Sequence, residues 1–287
     1  MGVGASEGQD FAFLHSPFQN PMSTAPSSHL PLEVSLLKKM KRDGAKWAML
    51  TAYDYPGARL LEEAGVDWIL VGDSLGMVVL GYPDTTLVSV ADMEHHTRAV
   101  ARAVQHTPVI ADLPFGSYRT PELAVASAER LLAAGACAVK LEGGREILAQ
   151  VHALRTRGIP TMGHLGMLPQ SIREEGAYRI KGKTAADSLR LREDALALEA
   201  SGVFSVVLEL VHGGTASAIT NQAGIPTIGI GSGPECDGQV LVTHDLIGAF
   251  PWFTPKFAKP RAAVGASIRD SARAFVAEVH REQRKSE

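Results

Sequence analysis

The sequence predicts one parallel α/β barrel built from eight strand–helix units, the (β/α)8 or TIM barrel. Short apolar runs typical of buried strands alternate with amphipathic helical patterns through most of the 287 residues. Without an N-terminal tail, the chain is close to the roughly 250 residues typical of this barrel. Five of the apolar runs also end on an ionisable residue, which is typical of a parallel sheet whose strand ends form an active-site rim.

The N-terminal tail differs from the rest of the chain in composition. Residues 1–31 are rich in Ser, Pro, Gly and His and show no periodicity, so they lack the apolar surface needed to offset the entropy of ordering. We expect a disordered extension over residues 1–31 and a single barrel domain over residues 32–287. Met22 is an alternative first residue, in which case residues 1–21 would be an upstream addition.

The predicted elements begin with a short amphipathic helix at residues 34–41. Seven apolar runs predict strands at 48–53, 68–72, 108–112, 138–142, 160–164, 204–209 and 226–230. Helical patterns lie between them at 56–64, 90–104, 121–134, 145–157, 186–200 and 215–223, and a final helix is predicted at 262–280. Several boundaries are marked, for example by Thr120 as an N-cap before Pro121. The eighth strand has the weakest signal, within residues 240–248 or beside them.

A doubly wound open sheet is the alternative architecture for this alternation. The first predicted strand is not followed by a Gly-x-Gly-x-x-Gly turn, so no dinucleotide-binding fingerprint supports the open sheet. The barrel is therefore favoured.

Composition narrows the partners and the compartment. The net charge is -3 with both signs interspersed, so no basic stripe for nucleic acid or an anionic membrane is expected. No apolar run is long enough to span a bilayer, and the N-terminus resembles neither a secretory signal nor a transit peptide. Only two cysteines occur, Cys137 and Cys236, which favours a reducing, cytoplasmic setting and a small-molecule function.

The ionisable residues at the strand ends are Asp73, Asp112, Glu142, His164 and Glu209. Successive side chains of a strand point to opposite faces, so residues two apart share a face. If each terminal side chain faces the barrel axis, the five converge at the C-terminal mouth.

Carboxylates crowded into one pocket repel each other, and a bound cation, a nearby lysine or shared protons can relieve the repulsion. Lys140 shares a strand face with Glu142 and is one such lysine. An oxygen-rich site without thiolates suits Mg²⁺ or Mn²⁺ better than zinc.

Each of these residues also has a structural interpretation. Asp73 and Asp112 occupy positions typical of helix caps and turns, and Ser74 alone is a weaker signal still. Lys140 could merely neutralise Glu142, and a histidine between glycines could serve to hold its loop.

Glu209 has the strongest individual signal, because apolar residues flank it on both sides. Burial of an unpaired carboxylate costs several kcal/mol. Elsewhere, His95 and His96 are expected to be surface or packing residues, and the Gly229-x-Gly231-x-Gly233 run is only a weak phosphate signal. The long segment 167–183 is predicted to be a lid or an oligomer contact.

A set of motifs in chain order resembles the ketopantoate hydroxymethyltransferase family. The match extends from about residue 47 to 259. The motifs are Leu50-Thr51-Ala52-Tyr53-Asp54-Tyr55, Val71-Gly72-Asp73-Ser74-Leu75-Gly76, Ala111-Asp112-Leu113-Pro114-Phe115, Val139-Lys140-Leu141-Glu142-Gly143-Gly144, Gly163-His164-Leu165-Gly166, Pro169-Gln170-Ser171, Ile228-Gly229-Ile230-Gly231, Asp237-Gly238-Gln239, His244-Asp245 and Pro255-Lys256-Phe257-Ala258-Lys259.

The resemblance implies a barrel of the phosphoenolpyruvate/pyruvate type and a homo-oligomer, commonly a decamer. It implies that Asp73 and Asp112 hold Mg²⁺ and that Glu142 supports the ion through its water shell. It also implies that Glu209 is the base. The positions that it matches to contacts with the 2-oxo acid or its product are Ser74, Lys140 and His164.

The implied reaction is the first step of pantothenate synthesis. 5,10-Methylenetetrahydrofolate, as co-substrate, would give its one-carbon unit to 3-methyl-2-oxobutanoate through a Mg²⁺-stabilised enolate. The products would be 2-dehydropantoate and tetrahydrofolate.

One departure from the family lies after the predicted base. The family usually has Cys-Val-Pro there, whereas this chain has Leu210-Val211-His212. We therefore expect a different shape for the loop that leaves the sixth strand. Two alternatives remain: a carbon–carbon lyase of the same superfamily that needs no folate, and a non-catalytic paralogue that serves as a binding or assembly subunit.

Overall fold

The computed structural model describes residues 32 and 34–283, so the extension predicted over 1–31 lies outside the described residues. Within them, eight parallel strands close into a barrel in sequential order. The last strand pairs with the first, with Trp47 opposite Gly238 and Met49 opposite Val240. The predicted (β/α)8 barrel is confirmed, and the open sheet is excluded.

The elements alternate as predicted. The strands are β1 (Trp47–Thr51), β2 (Trp68–Val71), β3 (Val109–Asp112), β4 (Ala138–Glu142), β5 (Thr161–Gly166), β6 (Ser205–Glu209), β7 (Thr227–Ile230) and β8 (Gly238–Leu241). The helices are α1 (Val34–Arg42), α2 (Tyr55–Glu63), α3 (Leu75–Val78), α4 (Val90–Ala101), α5 (Pro121–Ala133), α6 (Leu148–Thr156), α7 (Ile172–Glu175), α8 (Ala185–Ser201), α9 (Gly213–Gln222), α10 (Thr243–Leu246) and α11 (Val264–Gln283).

The eighth strand begins earlier than the predicted run, because its first residue is Gly238, and a glycine gives no strand signal in the sequence. A Cβ at Gly238 would lie 2.5 Å from the carbonyl oxygen of Trp47, so only glycine allows β8 to begin this close to β1. The one-turn helices α3, α7 and α10 were not predicted, since a single turn leaves no periodic signal. None of the helices in the described part of the chain is both long and apolar enough to cross a membrane.

The N-terminal half of the barrel interior is filled by large apolar side chains. The rings of Trp47 and Trp68 stack with their centroids 5.7 Å apart, and Phe204 packs edge-on against Trp68 at 5.9 Å. Leu37 of α1 is buried against the same cluster, so α1 closes this end of the barrel. Polar side chains that point inward therefore have room only at the opposite, C-terminal end.

Strand β4 shows how the sequence places charges at that end. Val139 and Leu141 belong to the apolar layer between the strands and the surrounding helices. The alternate residues Lys140 and Glu142 are buried too, but they face the barrel axis and line the cavity at its C-terminal mouth.

Candidate active site

A cavity of about 820 Å³ opens at the C-terminal ends of the strands. Each of the eight strands contributes to its walls, either through its last residues or through the loop that follows it. All the residues that the sequence singled out as the site line it: Asp73, Ser74, Asp112, Lys140, Glu142, His164 and Glu209.

Asp73 and Asp112 lie side by side at the ends of β2 and β3. The backbone N–H of Asp73 donates to Asp112 Oδ2 at 3.0 Å, and both side chains are buried. Burial first, and then the charges of Asp112 and Glu142, raise the pKa of Asp73 well above its ordinary range. Burial also raises the pKa of Asp112, although Lys140 partly opposes it. Two buried carboxylates that resist ionisation are an environment in which a cation would be stabilising.

Lys140 supplies the one ammonium that lies among these carboxylates in the described residues. Its Nζ is 2.9 Å from Asp112 Oδ1 and 3.4 Å from His164 Nδ1. Burial lowers the pKa of Lys140, but the charges of Asp112, Glu142 and Asp73 outweigh burial and raise it. Lys140 is therefore a fixed positive charge, and its direct ion-pair partner is Asp112 rather than Glu142.

His164 connects the two glutamates of the site. Its Nδ1 lies 3.3 Å from Glu142 Oε1, and its Nε2 lies 3.4 Å from Glu209 Oε2. Burial and the charge of Lys140 lower the pKa of His164, but the two carboxylates outweigh them and raise it to about 9. The imidazole thus lies within ion-pair distance of both Glu142 and Glu209, although its Nε2 makes no hydrogen bond in the described residues.

Glu209 reaches the cavity for a different reason from the one its neighbours suggest. Val206 and Leu208 belong to the outer apolar layer and point away from it. The Glu209 side chain is 12% exposed, on the cavity side. Strand alternation, not a surrounding apolar shell, therefore brings this carboxylate next to His164.

Gln170, in the long segment after β5, links the carboxylates to one another. Its Nε2 donates to Asp73 Oδ2 at 2.8 Å and to the carbonyl of Leu113 at 3.0 Å, and its backbone N–H donates to Glu142 Oε2 at 3.0 Å. Tyr118 OH donates to Gln170 Oε1 at 2.6 Å, which fixes the amide with its NH₂ toward Asp73. The motif Pro169-Gln170-Ser171 marked this residue in the sequence, but nothing there indicated its partners.

Tyr53 plays a similar part beside Ser74. The two hydroxyls are 2.9 Å apart, and His96 Nδ1 lies 2.6 Å from the Tyr53 carbonyl oxygen, so His96 is a packing residue as predicted. Burial raises the pKa of Tyr53, which keeps its hydroxyl protonated. Ser74 therefore has a fixed polar neighbour at the cavity wall.

Segment 167–183 covers one side of the cavity. Pro169, Tyr178 and Ile180 line it, and Arg173 pairs with Asp84 of the loop after β2 at 2.9 Å. This position favours the lid over the oligomer contact for the residues that face the cavity.

The segment that departs from the family pattern meets the end of the lid. Leu210 has a φ of 47°, the only positive φ of a non-glycine residue in the described chain. Its carbonyl accepts from the N–H of Lys181 at 2.8 Å, and its side chain lines the cavity. At Gly231, opposite, a Cβ would lie 2.9 Å from both Leu210 Cδ2 and Phe257 Cδ1. Close packing and a positive φ of 63° account for glycine at position 231 without a ligand.

The protein supplies only part of the oxygen ligands that a hard cation needs at this site. In the described residues no three His, Cys, Asp or Glu side chains form a complete ligand cluster. Asp112 Oδ1 is nevertheless a buried oxygen that has an ion pair with Lys140 but no hydrogen bond, and in the described residues Asp73 Oδ2 accepts only from Gln170. Mg²⁺ typically takes one or two protein carboxylates and completes its shell with water and substrate oxygens, so Asp73 and Asp112 fit that ion.

Comparisons with known proteins identify the family of this chain. The family model described as ketopantoate hydroxymethyltransferase matches residues 31–284. The chain belongs to the ketopantoate hydroxymethyltransferase family. The 3-methyl-2-oxobutanoate hydroxymethyltransferase of Acetivibrio thermocellus is 54% identical over 241 residues, which cover 83% of this chain and 85% of that protein. The protein of the same name from Ignicoccus hospitalis is 54% identical over 245 residues, or 85% of this chain and 92% of that protein.

Solved structures of more distant proteins share the barrel of this family member. A phosphonopyruvate hydrolase in complex with oxalate and Mg²⁺ has a TM-score of 0.59 at 15% identity, with 87% of each chain covered. A 2,3-dimethylmalate lyase of the PEP mutase/isocitrate lyase superfamily has a TM-score of 0.55 at 19% identity, covering 86% of this chain and 87% of that one. At these identities the likeness establishes the fold alone.

Proposed function

We propose that this protein transfers a hydroxymethyl group from 5,10-methylenetetrahydrofolate to 3-methyl-2-oxobutanoate, in the first step of pantothenate synthesis. The products are 2-dehydropantoate and tetrahydrofolate, with water supplying the oxygen of the new hydroxyl group. The observation that carries the proposal is the arrangement in one cavity of the buried pair Asp73 and Asp112 with Glu209 on the opposite wall. Membership of the family supports the same reaction.

Asp73 and Asp112 are the protein ligands of Mg²⁺ in this proposal, and Mn²⁺ is a possible substitute. Glu142 supports the ion through its water shell. When bound, the metal polarises the keto group of the substrate and lowers the energy of the charge that develops when C3 loses its proton. Gln170 keeps the Asp73 carboxylate in place for this role, because its amide donates to Asp73 Oδ2.

The side chains around the metal site bind the oxo acid. Lys140 provides a permanent positive charge for the substrate carboxylate, and Ser74, held by Tyr53, provides a hydroxyl. His164 also contacts the substrate or product and holds Glu209 at 3.4 Å from its Nε2.

Glu209 is the catalytic base. It removes the proton from C3, and the electron pair left there forms the new carbon–carbon bond to the one-carbon unit. The two carbon–nitrogen bonds from that unit to folate break, and water supplies the hydroxyl group, so that tetrahydrofolate is released. An ion pair with His164 orients the Glu209 carboxylate toward the cavity.

We also propose a homo-oligomer, of which a decamer is the specific expectation. The support is α11, in which every described side chain from residue 267 to 281 is exposed. Ile268, Phe275, Val276 and Val279 are 62%, 66%, 50% and 37% exposed, and their spacing puts them on one helical face. An apolar stripe of this kind on a single chain is typical of a protein–protein interface.

A cytoplasmic location is proposed as well. The two cysteines are free thiols in the structure, which fits a reducing compartment.

The test is product analysis with purified protein, Mg²⁺ and 3-methyl-2-oxobutanoate, with and without 5,10-methylenetetrahydrofolate. We expect 2-dehydropantoate only when folate and metal are both present. Cleavage of a 2-oxo or hydroxy acid without folate would instead support a carbon–carbon lyase. Absence of both reactions together with absence of Mg²⁺ binding would support a non-catalytic paralogue.

A further inference from the structure

The part of the cavity on the side of β8 and β1 is not used by the metal, the oxo acid or the base. We propose that it is a pterin subsite, in which the Asp245 carboxylate accepts two adjacent N–H groups of the heterocycle and phenylalanine rings pack against its faces. This inference rests on the proposed function, since it assigns the place of the one-carbon donor. The residues that line this part are Val240, Val242, Asp245, Phe250, Phe253 and Phe257.

Asp245 is a buried carboxylate without a partner. It is 7% exposed, it lines the cavity, and no side chain or backbone N–H of the described residues donates to its oxygens. Burial raises its pKa to about 6. A buried carboxylate without donors is costly, so a ligand with two N–H donors would be stabilised by hydrogen bonds to oxygens that the protein leaves without donors.

The position of Asp245 is fixed by strand β1. The N–H of Thr243 donates to Thr51 Oγ1 at 3.0 Å, and Thr243 Oγ1 donates to the Thr51 carbonyl at 2.6 Å. These two bonds attach the start of α10 to the end of β1. The carboxylate is therefore held by a rigid element, as expected for a group that orients a ligand.

Tyr53 lies between Asp245 and the metal side of the cavity. Its hydroxyl contacts Ser74, and its ring centroid is 5.4 Å from that of His244. Tyr53 therefore contacts Ser74 of the metal side and also His244, the residue before Asp245. A heterocycle held by Asp245 would thus be a neighbour of the oxo acid, as transfer between them requires.

The size and chemistry of this region fit a flat bicyclic ring. The cavity of about 820 Å³ lies in the range of roughly 300–1,000 Å³ that holds drug-sized ligands, so it has room beyond a small oxo acid. Phe250, Phe253 and Phe257 offer aromatic faces. The 2-amino group and neighbouring ring N–H of a pterin match the two oxygens of a carboxylate, which is a charge-assisted, bidentate contact.

The first experiment measures binding of 6-methyltetrahydropterin to the full-length protein by anaerobic calorimetry. We expect Asp245→Asn to weaken binding by about 10-fold to 100-fold, the loss typical of a hydrogen-bonded charge. Asp43→Asn is the matched control, because Asp43 is exposed and lies at the opposite end of the barrel. Mg²⁺ affinity, measured in parallel, should be equal in the two variants. Pterin binding by Asp245→Asn equal to that of the control overturns the proposal.

A second experiment uses the unaltered protein and changes the ligand. The tetrahydropteridine with an oxygen in place of the 2-amino group turns a donor into an acceptor at Asp245, so we expect it to bind at least about 10-fold more weakly than 6-methyltetrahydropterin. Equal affinities would overturn the proposal, and so would binding of guanosine, which has the same donor pair, as tight as that of the pterin. If the protein forms 2-dehydropantoate from methylenetetrahydrofolate but shows equal affinities, the subsite is wrong and the proposed function stands. If no folate-dependent product forms, the proposed function itself fails.

Discussion

Replacement of Gln170 by methionine tests how the site holds its metal ligands. Gln170→Met keeps the length of the buried side chain but removes the amide. Asp73 loses the 2.8 Å donor to its Oδ2, and the Leu113 carbonyl loses a donor. The Tyr118 hydroxyl loses its 2.6 Å acceptor but keeps the Glu142 carbonyl at 3.3 Å. The backbone bond from Gln170 to Glu142 remains.

The expected magnitude follows from these three bonds. The bond to Asp73 joins a neutral donor to a charged acceptor and is worth about 1.5–3 kcal/mol, which corresponds to about 10-fold to 100-fold in Mg²⁺ affinity. The Leu113 carbonyl costs about 1–3 kcal/mol if it stays unsatisfied, whereas the Tyr118 hydroxyl keeps a second acceptor. The free energy of unfolding should therefore fall by about 1–3 kcal/mol as well.

The assay is calorimetric Mg²⁺ titration without substrate, together with urea unfolding. Gln150→Met is the matched control, because Gln150 is another buried amide, and it bonds to the backbone carbonyl of Tyr118 at 3.2 Å without contacting a site carboxylate. The control should lose stability and keep its Mg²⁺ affinity. If Gln170→Met binds Mg²⁺ as tightly as the control, the Gln170 amide does not hold Asp73 for metal binding.

Three further changes test other parts of the molecule. A left-handed backbone costs a residue other than glycine about 1–2 kcal/mol, so Leu210→Gly should lose little stability. The space that it opens should raise kcat/KM for a longer 2-oxo acid, relative to 3-methyl-2-oxobutanoate, by about 10-fold. An unchanged ratio would argue against a role of Leu210 in selectivity. Burial raises the pKa of Glu62, but the N–H groups of residues 105–107 outweigh burial and lower it, so Glu62 stabilises the fold above the ordinary glutamate pKa and loses this effect as pH falls through its lowered pKa. Glu62→Gln should therefore reduce unfolding free energy by about 1 kcal/mol or less near neutral pH and by less in acid; an equal loss at both would contradict the lowered pKa. Phe275→Glu should dissociate the proposed oligomer in light scattering after gel filtration, whereas Ala277→Glu on the opposite face of α11 should not; equal masses would exclude this interface.

The architecture could be predicted from the sequence because the strands from β2 to β7 are buried on both faces, apart from half-buried last residues in β5 and β6. Such strands appear as short apolar runs, and β4, whose five residues are all buried, still shows its two faces through the alternation of Val139 and Leu141 with Lys140 and Glu142. The exception was β8, which begins at a glycine that the close approach of Trp47 requires. Such a requirement depends on a residue distant in the chain, so local pattern does not contain it.

The candidate site was predictable where strand ends supply it and not where loops do. Asp112, Glu142 and Glu209 could be brought together from strand alternation alone. Gln170 and Asp245 depend on how the loops after β5 and β8 fold over the mouth, which no periodicity records. The apolar neighbours of Glu209 correctly indicated that it lies in the site. They do not surround its carboxylate, however, because they face the outer layer while the carboxylate faces the cavity.

The measurement that tests the account most directly is hydrogen exchange at C3 of 3-methyl-2-oxobutanoate in D₂O, followed by proton NMR without any folate. We expect Mg²⁺-dependent exchange by the unaltered protein and a loss of at least about 100-fold in Glu209→Gln, the usual contribution of a general base, with the variant folded and still able to bind Mg²⁺. Exchange that survives in Glu209→Gln, or its absence in the unaltered protein with Mg²⁺ bound, would contradict this expectation.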